Sequence, residues 1–287
     1  MLVENGHYQN QAVAFATMHG KEKAVARAFA RQLAASVRVP AGIDTDALGT
    51  FTGEIPRVGT MVEAARAKAL LAMQVTGLRC GLGSEGSFGP HPHIPFIPCD
   101  TELLLFVDKI NEIEICETLV THRTNYQSCK CHAGEDISDF VKSIKFPEHA
   151  VVVTPSAPTT KILPVKGINS SADLSEAILN ASHASSDRAA RIVTDMRAHL
   201  NPTRMAVIRA LANRLARRLA TRCPQCSAPG FGVVDIDRGL PCCWCGEPTQ
   251  LAIAKVFRCA KCTFERRVKL NSAPKTADPG SCENCNP

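Results

Sequence analysis

Aromatic side chains are scarce in this sequence: 5% of 287 residues, with two tyrosines and one tryptophan. That scarcity leaves little from which to build a stacking platform for nucleic-acid bases. Long apolar runs are missing too. The longest, such as 103–107, reach about five residues, far short of the roughly 20 that cross a bilayer, so no membrane-spanning helix is expected. The opening MLVENGHYQN has no basic region followed by an apolar run, which predicts no secretory signal and a cytoplasmic protein. Glycine and proline stand at 18 each, against 45% apolar and 21% charged residues; this excludes collagen-like and disordered chains and predicts a folded protein. No P-loop pattern occurs. His19, His91, His93, His122 and His132 include no pair four residues apart on a helix, so a histidine-based catalytic zinc has no support.

What the sequence holds in excess is cysteine. Of fourteen, nine follow residue 222, and eight of these form four CxxC pairs: Cys223 with Cys226, Cys242 with Cys245, Cys259 with Cys262, and Cys282 with Cys285. In a reducing compartment such pairs grip one tetrahedral Zn²⁺ from two sides. Fifteen residues separate the first pair from the second and nineteen the third from the fourth, both zinc-ribbon spacings. Two structural zinc ions follow, each with four thiolates and no open position. Sequential pairing, first with second and third with fourth, is favoured over interleaving, because each gap holds a β-prone piece, 231–236 and 264–270, suited to a small hairpin. Cys243 competes with Cys242, but only Cys242 makes the two-residue gap to Cys245. With Phe231, Trp244, Phe257 and Phe264 as its only aromatics, the tail would lack a core, so zinc supplies its folding energy. Cys129-Lys130-Cys131-His132 has a one-residue gap, poor for a zinc knuckle, and reads as a loop.

The fold class predicted is α/β: a mixed sheet flanked by helices, then a basic helix and a small C-terminal twin zinc-ribbon module. Residues 1–220 form the α/β domain and 221–287 the zinc module. Strands are expected at 11–17, 103–107, 150–154 and 191–194, and helices at 21–35, 60–75 and 172–181. The helix over 202–220 has Asn201 as its cap and Pro202 at its first position, with Met205, Ile208, Leu211, Ala212, Leu215 and Leu219 on one face. Its other side carries Arg209, Arg214, Arg217 and Arg218. From Arg197 to Leu270 there are fourteen Lys or Arg against four acids, an excess that two dianionic tetrathiolate zinc sites would reduce. A solvated helix face explains these arginines more readily than a nucleic-acid surface.

Several polar groups before the tail bear on chemistry. Thr60 and Glu63 have the spacing of a capping box. The stretch GLGSEGSFG (81–89) reads as a glycine-rich turn at a strand-to-loop transition, where phosphate can approach the backbone and Glu85 can hold Mg²⁺. Arg197 and Arg204 flank a helix N-terminus, an anion seat; a salt bridge from Arg197 to Asp195 accounts equally well for the first.

The run from Thr60 to Ala69, with Thr60, Glu63, Ala65, Lys68 and Ala69 matching and Ala64 departing from the usual Asn, resembles the TxxENAxxKA helix of the inosine triphosphate pyrophosphatase and Maf-like superfamily. Ser84-Glu85-Gly86 stands where that superfamily has an acidic turn, with one carboxylate in place of two. ATMHGKEKAVARAF (16–29) is similar to its opening strand, turn and Lys-bearing helix, with His19 in place of Asn and the lysine at Lys21 or Lys23. Over 12–108 the resemblance implies a Mg²⁺-dependent hydrolase of nucleoside triphosphates, with Glu63, Glu85 and Asp108 as catalytic carboxylates. Asp100 and Glu102 are alternatives for the base, and Lys21, Lys68, Arg197 and Arg204 lie on phosphates. EIPR, DMRAHLNPTR, GLPCCWCGEPT and CENCNP also resemble a bacterial family described only as a domain of unknown function with C-terminal CxxC ribbons, which implies no activity. The alternative to the hydrolase is a non-enzymatic zinc-ribbon protein that binds nucleic acid or a protein partner.

Overall fold

The computed structural model describes residues 6–43, 59–91, 94–158, 160, 162–270 and 274–286. The predicted mixed sheet becomes two separate sheets. In the first, β1 (Ala12–Phe15) lies between β2 (Ser36–Arg38) and β3 (Cys80–Pro90), parallel to both; β4 (Pro98–Asp108) and β5 (Ile113–Thr121) extend it antiparallel, in the order β2-β1-β3-β4-β5. Parallel neighbours require crossovers, and these are α1 (Glu22–Leu33) and α2 (Met61–Thr76). Alternation along the strands divides the core. Val13, Phe15, Leu82, Leu104 and Phe106 pack against α1 and α5 (Pro202–Ala220), whereas Ala14, Leu103, Leu105 and Val107 pack against α2.

The glycine-rich stretch 81–89 is strand, the inner half of a long hairpin with β4. Its glycines serve packing. A Cβ on Gly83 would overlap the Ala65 carbonyl of α2, and one on Gly81 would lie 2.6 Å from the Ala69 carbonyl oxygen. The helix therefore lies on the sheet at backbone distance.

The second sheet is antiparallel throughout, in the order β6-β9-β7-β8: β6 (Ser128–His132), β7 (Val151–Pro155), β8 (Val165–Ile168) and β9 (Ala189–Thr194). It carries α3 (Ser138–Ser143) and α4 (Ser171–His183) over a core of Val151, Val153, Ile178 and Ile192. The segment 129–132, expected as a loop, is strand β6, with Cys131 buried. Helix α5 has the predicted bounds. Asn201 Oδ1 accepts from Arg204 N at 3.0 Å, and the predicted apolar face is buried except for half-buried Met205. Of the four arginines on its other side, Arg214 and Arg218 pair with Glu117, at 2.5 Å and 2.7 Å, while Arg209 and Arg217 are exposed. Among the described residues no helix is long and apolar enough to cross a membrane.

The tail folds as a three-stranded antiparallel meander, β10 (Gly232–Arg238), β11 (Ala252–Arg258) and β12 (Glu265–Lys269). It packs on the first sheet: the backbone at Gly230 lies against Ile115, and Arg218 donates to its carbonyl at 3.2 Å.

Candidate metal centres and a buried ionic cluster

The register of the meander decides which cysteines meet. Gly232, at the start of β10, pairs with Arg258 at the end of β11, so Cys223 and Cys226 share one end of the sheet with Cys259 and Cys262. Arg238 pairs with Ala252, and Lys269 pairs with Ala254, so Cys242, Cys245, Cys282 and Cys285 gather at the opposite end. The pairing is therefore interleaved, which corrects the sequential assignment. A seven-residue strand, about 24 Å of chain, separates the first knuckle from the second and the second from the third, and the five-residue β12 lies between the third and the fourth.

Within each cluster the four sulfurs lie within 4.8 Å of one another. The inter-knuckle separations are 3.7 Å (Cys223–Cys262), 3.6 Å (Cys226–Cys259), 3.9 Å (Cys242–Cys285) and 3.6 Å (Cys245–Cys282). Four sulfurs about 2.3 Å from one tetrahedral zinc would stand about 3.8 Å apart, so the donor set fits that ion in number, softness and spacing. Backbone amides already point at the sulfurs: Trp244 N donates to Cys242 Sγ at 3.4 Å, and Lys261 N and Cys262 N donate to Cys259 Sγ at 3.3 Å. Gly246 adopts a φ of +77° and donates to the Cys242 carbonyl, closing the second knuckle. Cys243 is exposed and outside the cluster; its amide bonds Ala277 O at 3.0 Å.

A second polar concentration lies at the carboxyl ends of the parallel strands, where β3 continues past the end of β1. Lys21, the residue before α1, donates to Ser84 Oγ at 2.9 Å. Lys68 of α2 pairs with Glu85 on the opposite sheet face. Arg204, in the first turn of α5, pairs with Glu102 at 2.5 Å, donates to the Met196 carbonyl and lies 4.9 Å above the Phe88 ring. Gly86 faces Glu102 in the ladder, and a Cβ there would strike the guanidinium, so glycine makes room for the ion pair. Asp100 is 0% exposed, and neither carboxylate oxygen has a hydrogen-bond partner. Burial, reinforced by Glu102, pushes its carboxyl up to about 8; burial, reinforced by Arg204, brings the Lys21 ammonium down to about 8.

The remaining site residues stand elsewhere. Glu63 is exposed and completes the capping box: its Oε2 accepts from Thr60 N at 2.7 Å, which holds its carboxyl below the usual range. Asp108 pairs in register with Cys80, five residues from Glu85 along β3 and about 17 Å away, and it caps the turn at Ile110 and Asn111. The structure therefore does not bring Glu63, Glu85 and Asp108 to one point. Arg197 forms the salt bridge with Asp195, at 2.6 Å. Lys23 lies inside α1. Sequence reasoning named Asp100 and Glu102 only as alternatives for a base. Their two-residue spacing in a strand, which places both on one face, was the available signal for a buried cluster.

A family model described as a domain of unknown function, DUF6671, matches residues 68–287, most of the chain. No curated protein and no solved structure matches.

Proposed function

The chain belongs to the DUF6671 family, and we propose that it is a zinc protein whose two tetrathiolate ions are structural and build an interaction module on an α/β body. The observation that carries this reading is the pair of closed four-sulfur clusters at opposite ends of one small sheet. A site with four thiolates has no position left for water or substrate, so its ions fold the module and do not catalyse. Among the described residues its apolar core is small: Phe231 with Cys223 and Cys259, backed by Phe257 and Phe264, together with the buried Leu240, Ala254, Val256 and Ala277. Trp244, the one tryptophan of the sequence, is 77% exposed between two ligands of the second cluster. An exposed aromatic on a rigid metal knuckle suits contact with a protein partner. The pyrophosphohydrolase reading is weaker, because its three carboxylates lie apart and Glu85 is engaged by Lys68.

Zinc analysis with chelation tests this. The purified chain should carry two zinc ions. Their removal should strip hydrogen-exchange protection from β10–β12 while β3 and β4 keep theirs. Fewer than about 1.5 zinc per chain, or protection of the tail unchanged after complete removal, would sink the proposal.

A further inference from the structure

The three strands of the tail have two unlike faces. Alternation along β11 sends Ile253, Lys255 and Phe257 to one side and Ala254, Val256 and Arg258 to the other. The ladder extends the division: Val233 and Ile236 of β10 stand opposite Phe257 and Lys255, and Arg266 and Val268 of β12 stand opposite the same two. All three acids of these strands fall on the other side, where Asp235, Asp237 and Glu265 stand opposite Val256, Ala254 and Arg258. There they neutralise their neighbours. Arg258 pairs with Glu265 at 2.8 Å, and Arg267 reaches Asp237 at 3.3 Å and Glu265 at 3.6 Å.

The first face therefore carries apolar side chains and cations only. Lys255 and Arg266 are both exposed, and neither has an ion-pair partner among the described residues. Val268, opposite Lys255 in the ladder, is 38% exposed, and Ile236 and Ile253 are half-buried. The tail meets the body at its other end, through Ala228 and Ala260 beside the first cluster, which pack on the core of the first sheet. From that contact the strands run on toward the second cluster.

Unpaired cations on an apolar surface are complemented by carboxylates set among apolar groups. Nucleic acid fits less well. Two cations neutralise few phosphates, and the rings on which bases would stack are already covered, since the Arg266 guanidinium lies over Phe231 and Phe257 at 5.7 Å and 5.8 Å. A second copy of the chain, meeting this face about a two-fold axis, would set like charges against each other.

We propose that this face, centred on Lys255 and Val268, docks an acidic protein segment whose carboxylates are interspersed with apolar side chains. Lys255 and Arg266 receive the carboxylates, and Val268, Ile236 and Ile253 receive the apolar groups. Docking here rests on the reading of the tail as a zinc-built interaction module, because the knuckles hold the three strands in register.

Fluorescence anisotropy of labelled peptides, titrated with the zinc-loaded full chain, tests it. The probe is a peptide of about twelve residues with leucines set among glutamates; its controls replace leucine by serine or glutamate by lysine, and a single-stranded oligonucleotide of similar length forms a further arm. Saturable binding of the glutamate–leucine peptide is expected, at least tenfold tighter than of either control. Lys255→Glu should weaken it at least tenfold and Val268→Ser should weaken it too, while Lys255→Arg keeps it. Lys269→Glu makes the same charge change on the opposite face and should leave binding as it was. Zinc is counted in every variant, and if Lys255→Glu loses its metal, Val268→Ser and the peptide controls still decide. Two zinc ions in the parent chain without peptide binding would overturn the docking and leave the zinc module standing; a parent chain without zinc would overturn the module itself, and the docking with it. Equal losses in Lys255→Glu and Lys269→Glu, tighter binding of the oligonucleotide, or a dimer broken by Val268→Ser would each overturn the proposal as well.

Discussion

Asp100 shows how one buried group shapes the response of the whole protein to pH. In the native state its carboxyl keeps its proton to about pH 8, whereas an unfolded chain releases it near the ordinary value of 3.8. Between those values the folded chain binds more protons than the unfolded one, so this group's contribution to stability falls as pH rises. Glu102 strengthens the effect, and Lys21 and Arg204 weaken it. Lys21 works in the opposite sense but mostly higher: its native pKa, lowered to about 8 from 10.5, costs stability that returns as pH climbs from about 8 toward the unfolded value. Asn at position 100 cannot titrate. The stability of Asp100→Asn relative to the parent should therefore rise by roughly 2 kcal/mol between pH 6 and pH 8, read from urea midpoints with zinc present. A difference that stays constant over that range would show that Asp100 ionises normally.

At the scale of elements, the contact of α2 with β3 depends on an absent side chain. Gly83→Ala should cost about 3 kcal/mol or more, because the obstacle is the Ala65 backbone carbonyl, which cannot swing aside. Gly89→Ala, in the same strand with nothing among the described residues near its Cβ position, should cost less than about 1 kcal/mol. Thermal denaturation of the two variants gives the comparison; equal losses would mean that strand propensity and not close packing fixes these glycines. The same contact explains what sequence reading could and could not reach. Helices α2 and α5 announce themselves through caps and periodicity, Thr60 with Glu63 and Asn201 with Pro202. Strand β3 does not, because Gly81 and Gly83 stand where the helix presses close and Gly86 makes room for Arg204, and glycine at that density reads as a turn. The tail misled for a related reason. Its middle strand, residues 252–258, sits between the second and third knuckles, and without it the two gaps look like separate hairpins. The eight ligands were visible in their spacing; their grouping depends on strand register, which spacing does not encode. The ionic cluster joins residues from 21 to 204, and only the folded chain brings them together.

For the whole molecule, the interleaved clusters make the tail one unit, since the first joins knuckles across the β10–β11 hairpin and the second joins knuckles across β11 and β12. Docking against Ile115 and Arg218 then ties this unit to the first sheet. The measurement that tests the account most directly is zinc stoichiometry by native mass spectrometry in two double variants. Cys226→Ser with Cys262→Ser removes two ligands from one interleaved cluster and should leave one zinc bound, at Cys242, Cys245, Cys282 and Cys285. Cys226→Ser with Cys245→Ser strikes both clusters and should leave none firmly bound. The reverse result, no zinc in the first variant and one in the second, would mean that consecutive knuckles share an ion and would contradict the arrangement described.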